Sequence, residues 1–72
     1  MYKENFAPRI RKAREEAGYT QKDIEAILNI KQAKLSKMEL GQREPTLETL
    51  ATLAQFYNVS TDWLLGVVIE KK

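Results

Sequence analysis

The sequence predicts an all-α domain of about five short helices. Apolar residues recur three and four positions apart along most of the 72-residue chain, which is the spacing of one helix face. Glycine, asparagine or proline separates these segments, and such residues end helices or form turns. Residues 67–69 alone alternate, weakly, in the manner of a strand.

Length and composition narrow the class of protein. A chain of 72 residues with no cysteine and no histidine is expected to form one domain without disulfides or thiolate zinc sites. It lacks the commonest general base and metal ligand and has no glycine-rich phosphate loop, so we expect no enzyme, cofactor or metal site. The net charge of +2 and the pI near 9.0 permit a nucleic-acid partner without requiring one.

The N-terminus and the apolar runs predict the compartment. The first residues are polar and charged, so we expect no signal peptide. The longest apolar run, residues 63–69, is far shorter than the roughly 18 residues that span a bilayer. We therefore expect a soluble cytoplasmic protein with no membrane partner and no small-molecule ligand.

The first helix is expected to follow a flexible N-terminal tail, residues 1–5. Asn5 is a candidate N-cap, Pro8 then falls in the first turn, and Gly18 ends the helix. The apolar positions at helical spacing are Phe6, Ile10, Ala13 and Ala17. Two pairs spaced for ion pairing support a solvated face, Arg11 with Glu15 and Lys12 with Glu16.

The stretch 20–41 predicts two helices that meet at a sharp corner. Thr20 caps the second helix, and Asp23 lies near the positive end of its dipole. Asn29 suits a left-handed backbone position, which places the corner there. The third helix is expected from about Lys31 to Leu40. The inward positions are Ile24, Ile27 and Leu28 on the second helix and Leu35 and Met38 on the third.

Two further helices complete the domain. Pro45 and Thr46 signal the start of the fourth helix, which Asn58 ends, and Ser60 caps a short fifth helix that Gly66 closes. The fourth helix carries apolar side chains at helical spacing: Leu47, Leu50, Ala51, Leu53, Ala54 and Tyr57.

Apolar residues near the C-terminus are too numerous for one small core. Val59, Trp63 and Leu64 are explained as core residues. Successive apolar side chains cannot all point into the same core, so the tail, residues 67–72, is a candidate homodimer contact. The predicted contact residues are Leu65, Val67, Val68 and Ile69.

The third helix presents a polar face suited to DNA. At about 100° per residue, Leu35 and Met38 define its buried side. The opposite side carries Gln32, Ala33, Ser36 and Lys37, with Lys31 and Lys34 nearer the flanks. An amide can bond adenine, an ammonium can donate to guanine, and a methyl can pack on thymine. Such a face is often only a solvated surface, but the cap, the corner and the inward apolar positions together favour DNA reading.

Four stretches resemble the phage-repressor and Cro-like (Xre-type) helix-turn-helix domains: REEAGYTQKDI, ILNI, LSKMELGQREPTLETL and VSTDWLLG. The resemblance covers residues 6–66 and implies a compact five-helix, lambda-repressor-like DNA-binding domain. It further implies a prokaryotic or phage transcriptional regulator, most simply a repressor. Its partners would be double-stranded DNA and a second copy of the chain, which together suit a palindromic operator.

The resemblance also assigns roles to individual residues. The base-reading residues would be Lys31, Gln32, Ala33, Ser36 and Lys37. The phosphate-binding residues would be Thr20, Gln21, Lys34 and Arg43. Arg14 and Glu39 match a pair that forms a salt bridge between the first and third helices of such domains. As separate surface charges they would contribute little, whereas a buried pair would fix the angle of the third helix.

Three positions depart from the pattern of these domains. Glu25 stands where a small residue is usual. Either its carboxylate points outward toward Lys31 or Lys34, or the helices sit further apart, or the substitution lowers the stability of the domain. Leu40 replaces a common polar phosphate-binding residue, and Asn29 replaces the usual glycine. Glu25 and Leu40 favour a second hypothesis, a protein-interaction module of the same fold with weakened DNA binding.

Overall fold

The structure is a computed structural model that describes residues 3–67. It confirms the all-α prediction, since five helices and no strand are found in this range. In chain order the helices are α1 (Lys3–Glu16), α2 (Gln21–Leu28), α3 (Gln32–Glu39), α4 (Leu47–Tyr57) and α5 (Thr61–Leu65).

The first helix begins earlier than the sequence predicts. Residues 3–5 belong to α1, so the predicted tail was drawn too long and Asn5 is not an N-cap. Pro8 lies inside the helix rather than in its first turn. Packing explains the difference, because Phe6 is fully buried and holds the turn ahead of the proline against the core.

Asn5 has a different role, at the contact between α1 and the end of α5. Gly66 has a φ of 75°, and a Cβ added there would lie 2.8 Å from the Cβ of Asn5. Both the left-handed backbone and this close approach therefore require glycine at position 66.

Side-chain caps begin three of the helices where the sequence places them. The Thr20 hydroxyl accepts from the Asp23 backbone N–H at 3.1 Å, and the Asp23 carboxylate accepts from the Thr20 N–H at 2.9 Å, which completes a capping box. Thr46 and Ser60 cap α4 and α5 in the same way, through the backbone N–H three residues on. These contacts satisfy N–H groups that a helix leaves without a partner.

The corner between α2 and α3 is formed at Asn29, as predicted. Its backbone is left-handed, with a φ of 60°, and its N–H donates to the carbonyl oxygen of Glu25. Asparagine tolerates this conformation better than other residues with a side chain. Asn58 ends α4 with nearly the same geometry, at a φ of 59°.

The core forms where α1 meets α3, α4 and α5, and α2 joins it beside α3. Helix α1 packs against α3, α4 and α5, α2 packs against α3, and α4 packs against α5. The largest fully buried side chains are Phe6, Ile10, Ile24, Leu35, Met38, Leu53 and Leu64. Burial of both Leu35 and Met38 fixes which side of α3 faces outward.

Several predicted inward positions are exposed. Ile27 is 52% exposed and Leu47 is 83% exposed, and Ala17 and Ala51 also face solvent. Leu47 is the first residue of α4 and Ile27 lies beside the Ile24 stripe of the short α2, so the periodic pattern overestimated both apolar faces. Of the two predicted ion pairs on α1, Arg11–Glu15 forms at 3.0 Å, while the other is not found within 4 Å in the described structure.

None of the helices found in residues 3–67 combines the length and the apolar character that a membrane span needs.

We predict that position 29 tolerates glycine but not alanine. Asn29→Ala should lower the free energy of unfolding by about 1–2 kcal/mol, because a Cβ without a local hydrogen-bonding group disfavours left-handed backbone. Asn29→Gly should stay within about 0.5 kcal/mol of the wild type. Urea denaturation measures both, with Gln55→Ala on the exposed side of α4 as the control. Equal stability of the alanine variant and the wild type would contradict this account of the corner.

Candidate nucleic-acid interface

The outward side of α3 is open in the described structure. Lys31, Ala33 and Lys37 are exposed, and Gln32 and Ser36 are half-buried. These are the five residues proposed to read bases, and all of them keep some contact with solvent. The side chains that anchor the helix from behind are fully buried, so the polar face cannot turn inward without exposing the core.

A buried ion pair joins α1 to α3. The Arg14 Nε donates to Glu39 Oε2 at 2.7 Å, and Nη2 donates to Oε1 at 3.0 Å. The Arg14 Nη1 donates to the backbone carbonyl oxygen of Tyr19 at 2.8 Å, in the turn before α2. The fork of one guanidinium therefore connects α1, the turn before α2 and the last residue of α3.

Burial distinguishes this pair from an ordinary surface pair. The Arg14 and Glu39 side chains are 11% and 3% exposed, whereas Arg11 and Glu15, 3.0 Å apart on α1, are 60% and 53% exposed. Water screens the exposed pair and leaves it little net effect on stability. Loss of one buried partner leaves the other charge without compensation, which costs several kcal/mol.

The pair also changes the titration of the groups near it. The hydrogen bond to Glu39 raises the pKa of the Arg14 guanidinium against the opposing effect of burial. Burial, and secondly the Glu39 carboxylate, raise the pKa of the Tyr57 hydroxyl. Both groups therefore keep their protons across the physiological pH range, and the Arg14 guanidinium stays positively charged.

Two amides extend this network to the outward face of α3. The Gln21 Nε2 donates to Glu39 Oε1 at 3.0 Å. The Gln32 Nε2 lies 3.5 Å from Gln21 Oε1, a long hydrogen bond. The Gln21 side chain was predicted to bind a phosphate, but in this structure it is bonded on both sides within the protein.

The other predicted phosphate-binding residues are Thr20, Lys34 and Arg43. Thr20 is exposed at the start of α2, with its backbone N–H and hydroxyl in the capping box. Lys34 is half-buried on α3, and Arg43 is exposed in the loop between α3 and α4. These residues therefore lie on α3 or on the segments that lead into α2 and out of α3.

Glu25 points outward, but neither lysine proposed as its partner is within salt-bridge distance in the described structure. Its Oε1 instead accepts from the backbone N–H of Gln32 at 3.2 Å. Sequence reasoning missed this contact because it considered only charged side chains as partners. The signal was present, since Lys31, just before α3, has no acceptor with which to cap that helix.

The predicted dimer residues are only partly described. Leu65 is half-buried against the core of its own chain, and Val67 is 37% exposed. Val68 and Ile69 lie outside the described residues.

Leu40 is exposed where a polar residue was expected to bind phosphate, so this departure leaves an apolar side chain on the surface.

Acidic residues do not assemble into a metal site in the part of the chain that the structure describes. No group of three aspartates or glutamates is found there that could hold an ion.

Known proteins share this sequence pattern. A family model described as Helix-turn-helix matches residues 10–64. The HTH-type transcriptional regulator ImmR of Bacillus subtilis is 50% identical over 62 residues, which cover 86% of this chain and 49% of that protein. The SPbeta prophage-derived uncharacterized HTH-type transcriptional regulator YonR of the same species is 40% identical over 60 residues, 83% of this chain and 56% of YonR.

A third similar protein is the HTH-type transcriptional regulator DdrOP3 of Deinococcus deserti, 42% identical over 60 residues that cover 82% of this chain and 46% of that regulator. The chain thus spans about half the length of the curated relatives it matches.

We predict a large difference between the buried and the exposed ion pair. Glu39→Gln should lower the free energy of unfolding by about 3–5 kcal/mol, because it leaves the buried Arg14 charge without its partner. Glu15→Gln should cost less than about 1 kcal/mol. Urea denaturation of the two variants at neutral pH measures both. Similar losses for the two variants would show that the buried pair does not fix α3.

Proposed function

The chain belongs to the helix-turn-helix family, and on that premise we propose that it binds double-stranded DNA sequence-specifically and regulates transcription. The outward face of α3, anchored by the Arg14–Glu39 pair, carries this proposal. Sequence similarity to three proteins named as transcriptional regulators supports the proposal. A helix of this width fits the major groove, where every base pair presents a distinct pattern of donors and acceptors.

Gln32 has the groups needed to read adenine. One hydrogen of its amide faces Gln21. The second hydrogen remains to donate to the N7 of an adenine, and the amide oxygen remains to accept from its N6 amino group. Lys37, exposed on α3 one helical turn after Ala33, would donate to guanine, and the Ala33 methyl would pack on thymine.

Phosphate contacts would come from the surroundings of α3. Lys34 and Arg43 supply positive charge, and the backbone N–H of Gln21 lies at the positive end of α2. Because the Gln21 side chain is bonded to Glu39, we assign the phosphate contact chiefly to this N–H. Lysines and arginines that neutralise phosphates release counterions, so binding should weaken steeply as salt rises.

Regulation would follow from occupancy of an operator. We propose a cytoplasmic repressor of prokaryotic or phage type that excludes polymerase from the DNA it covers. Two copies joined through Leu65 and the tail that starts at Val67 would place two recognition helices about 34 Å apart, one turn of DNA. A two-fold dimer reads a palindrome, which is the partner we propose.

An interaction module without DNA binding is the competing function. Exposed Leu40 favours it, since an apolar side chain replaces an expected phosphate contact. The outward position of Glu25 argues the other way, because it leaves α2 and α3 packed against each other. Fluorescence titration with random duplex DNA at low salt separates the two functions, and a complete lack of binding would select the interaction module.

We predict different effects for two lysines of α3. Lys37→Ala should weaken binding to a selected operator by about 1–3 kcal/mol and relax the preference at one base position. Lys34→Ala should weaken binding to all duplexes alike and reduce the slope of log affinity against log salt by about one. Fluorescence anisotropy with operator and scrambled duplexes measures both. Equal losses on all sequences for Lys37→Ala would make it a phosphate contact instead.

We also predict a homodimer in solution. Analytical ultracentrifugation at micromolar concentration should give a dimer, and Val67→Asp should shift it toward monomer because a charge would be buried in the contact. Leu47→Asp, the same change at an exposed apolar position on α4, serves as the control. A wild-type chain that sediments only as a monomer would remove the dimer from this proposal.

A further inference from the structure

Helix α3 has no side-chain cap from its own N-cap residue. Thr20 caps α2 through its hydroxyl, whereas the N-cap of α3 is Lys31, which makes no side-chain cap hydrogen bond. A lysine has donors only and cannot accept from a backbone N–H. The first N–H groups of α3 are therefore left to water or to an acceptor from another part of the chain.

Glu25 supplies that acceptor from the preceding helix. Its Oε1 lies 3.2 Å from the backbone nitrogen of Gln32, the first residue of α3. The two residues are seven positions apart and the corner at Asn29 lies between them. A carboxylate at the positive end of a helix dipole is favourable. Here the carboxylate belongs to a residue of α2 and caps the start of the next helix, α3.

We propose that Glu25 is a positioning residue that fixes the start of α3 and so sets the specificity of DNA binding. The proposal rests on the proposed function. Gln32 is held twice from α2, by Glu25 at its backbone N–H and by Gln21 at its side-chain amide. The residue proposed to read adenine is therefore constrained at its backbone and at its side chain by α2, the helix whose N-terminus we assign to a phosphate.

The same carboxylate opposes DNA binding in general. Glu25 is exposed, and its charge lies at the helix terminus where a phosphate would otherwise be favoured. Repulsion from phosphates acts on every sequence alike, since it depends only on the DNA backbone. Glu25 thus lowers affinity for all duplexes and raises the preference for the correct one.

Two substitutions separate the cap from the charge. Glu25→Gln removes the charge but keeps an oxygen that can accept from the Gln32 N–H, and Glu25→Ala removes both. We measure the dissociation constants of each variant for a selected operator and for a scrambled duplex at two salt concentrations. Glu16→Ala, which removes an exposed carboxylate from α1, is the control for net charge, and urea unfolding checks that each variant folds.

Both Glu25 variants should bind the scrambled duplex a few-fold more tightly than the wild type. The ratio of operator to scrambled affinity should stay within about two-fold in Glu25→Gln and fall about five-fold in Glu25→Ala, the effect of losing one cap. A ratio unchanged in Glu25→Ala, or lowered equally in both variants, overturns the proposal.

Hydrogen exchange of the Gln32 backbone N–H tests the cap without DNA. The amide should be protected in the wild type and in Glu25→Gln, and should exchange faster in Glu25→Ala. Equal exchange in the wild type and Glu25→Ala overturns the inference about Glu25 while leaving the proposed function standing. A wild-type chain that binds neither duplex refutes the proposed function, and it refutes the role of Glu25 in specificity with it.

Discussion

The buried contact between Arg14 and Glu39 is the constraint on which the rest of this structure depends. It joins the longest helix, the turn before α2 and the end of α3 through one guanidinium and one carboxylate. A charge buried without its partner is costly, so the two helices cannot separate or rotate without loss of stability. The apolar core fixes which side of α3 is hidden, and this pair fixes the angle at which the other side is presented.

The polar contacts around α3 form a graded series from the interior to the surface. The ion pair is buried, Gln21 is half-buried and bonded to it, and Gln32, also half-buried, lies on the outward side of α3. At the other end of the same residue, Glu25 holds the first N–H of the helix. A surface that discriminates between bases needs side chains held in place before DNA arrives, because disorder at the interface would reduce the gain from each base contact.

Local chemistry in the sequence was enough to predict the caps and the corner. Thr20, Thr46 and Ser60 cap their helices, and Asn29 adopts the left-handed backbone, because each depends on residues a few positions apart. Features that depend on packing were harder to predict. The start of α1 is set by the burial of Phe6, and the exposure of Leu47 follows from what α4 does not contact. The Glu25 cap links two helices across the corner, which periodicity does not encode.

The central claim is that the outward side of α3 meets base edges in the major groove. Selection of bound duplexes from a random pool, carried out in parallel with the wild type and Gln32→Ala, tests it most directly. The account predicts an inverted-repeat motif for the wild type, and for the variant the same motif with one position per half-site no longer preferred. No enriched motif for the wild type, or an identical motif for both proteins, would contradict it.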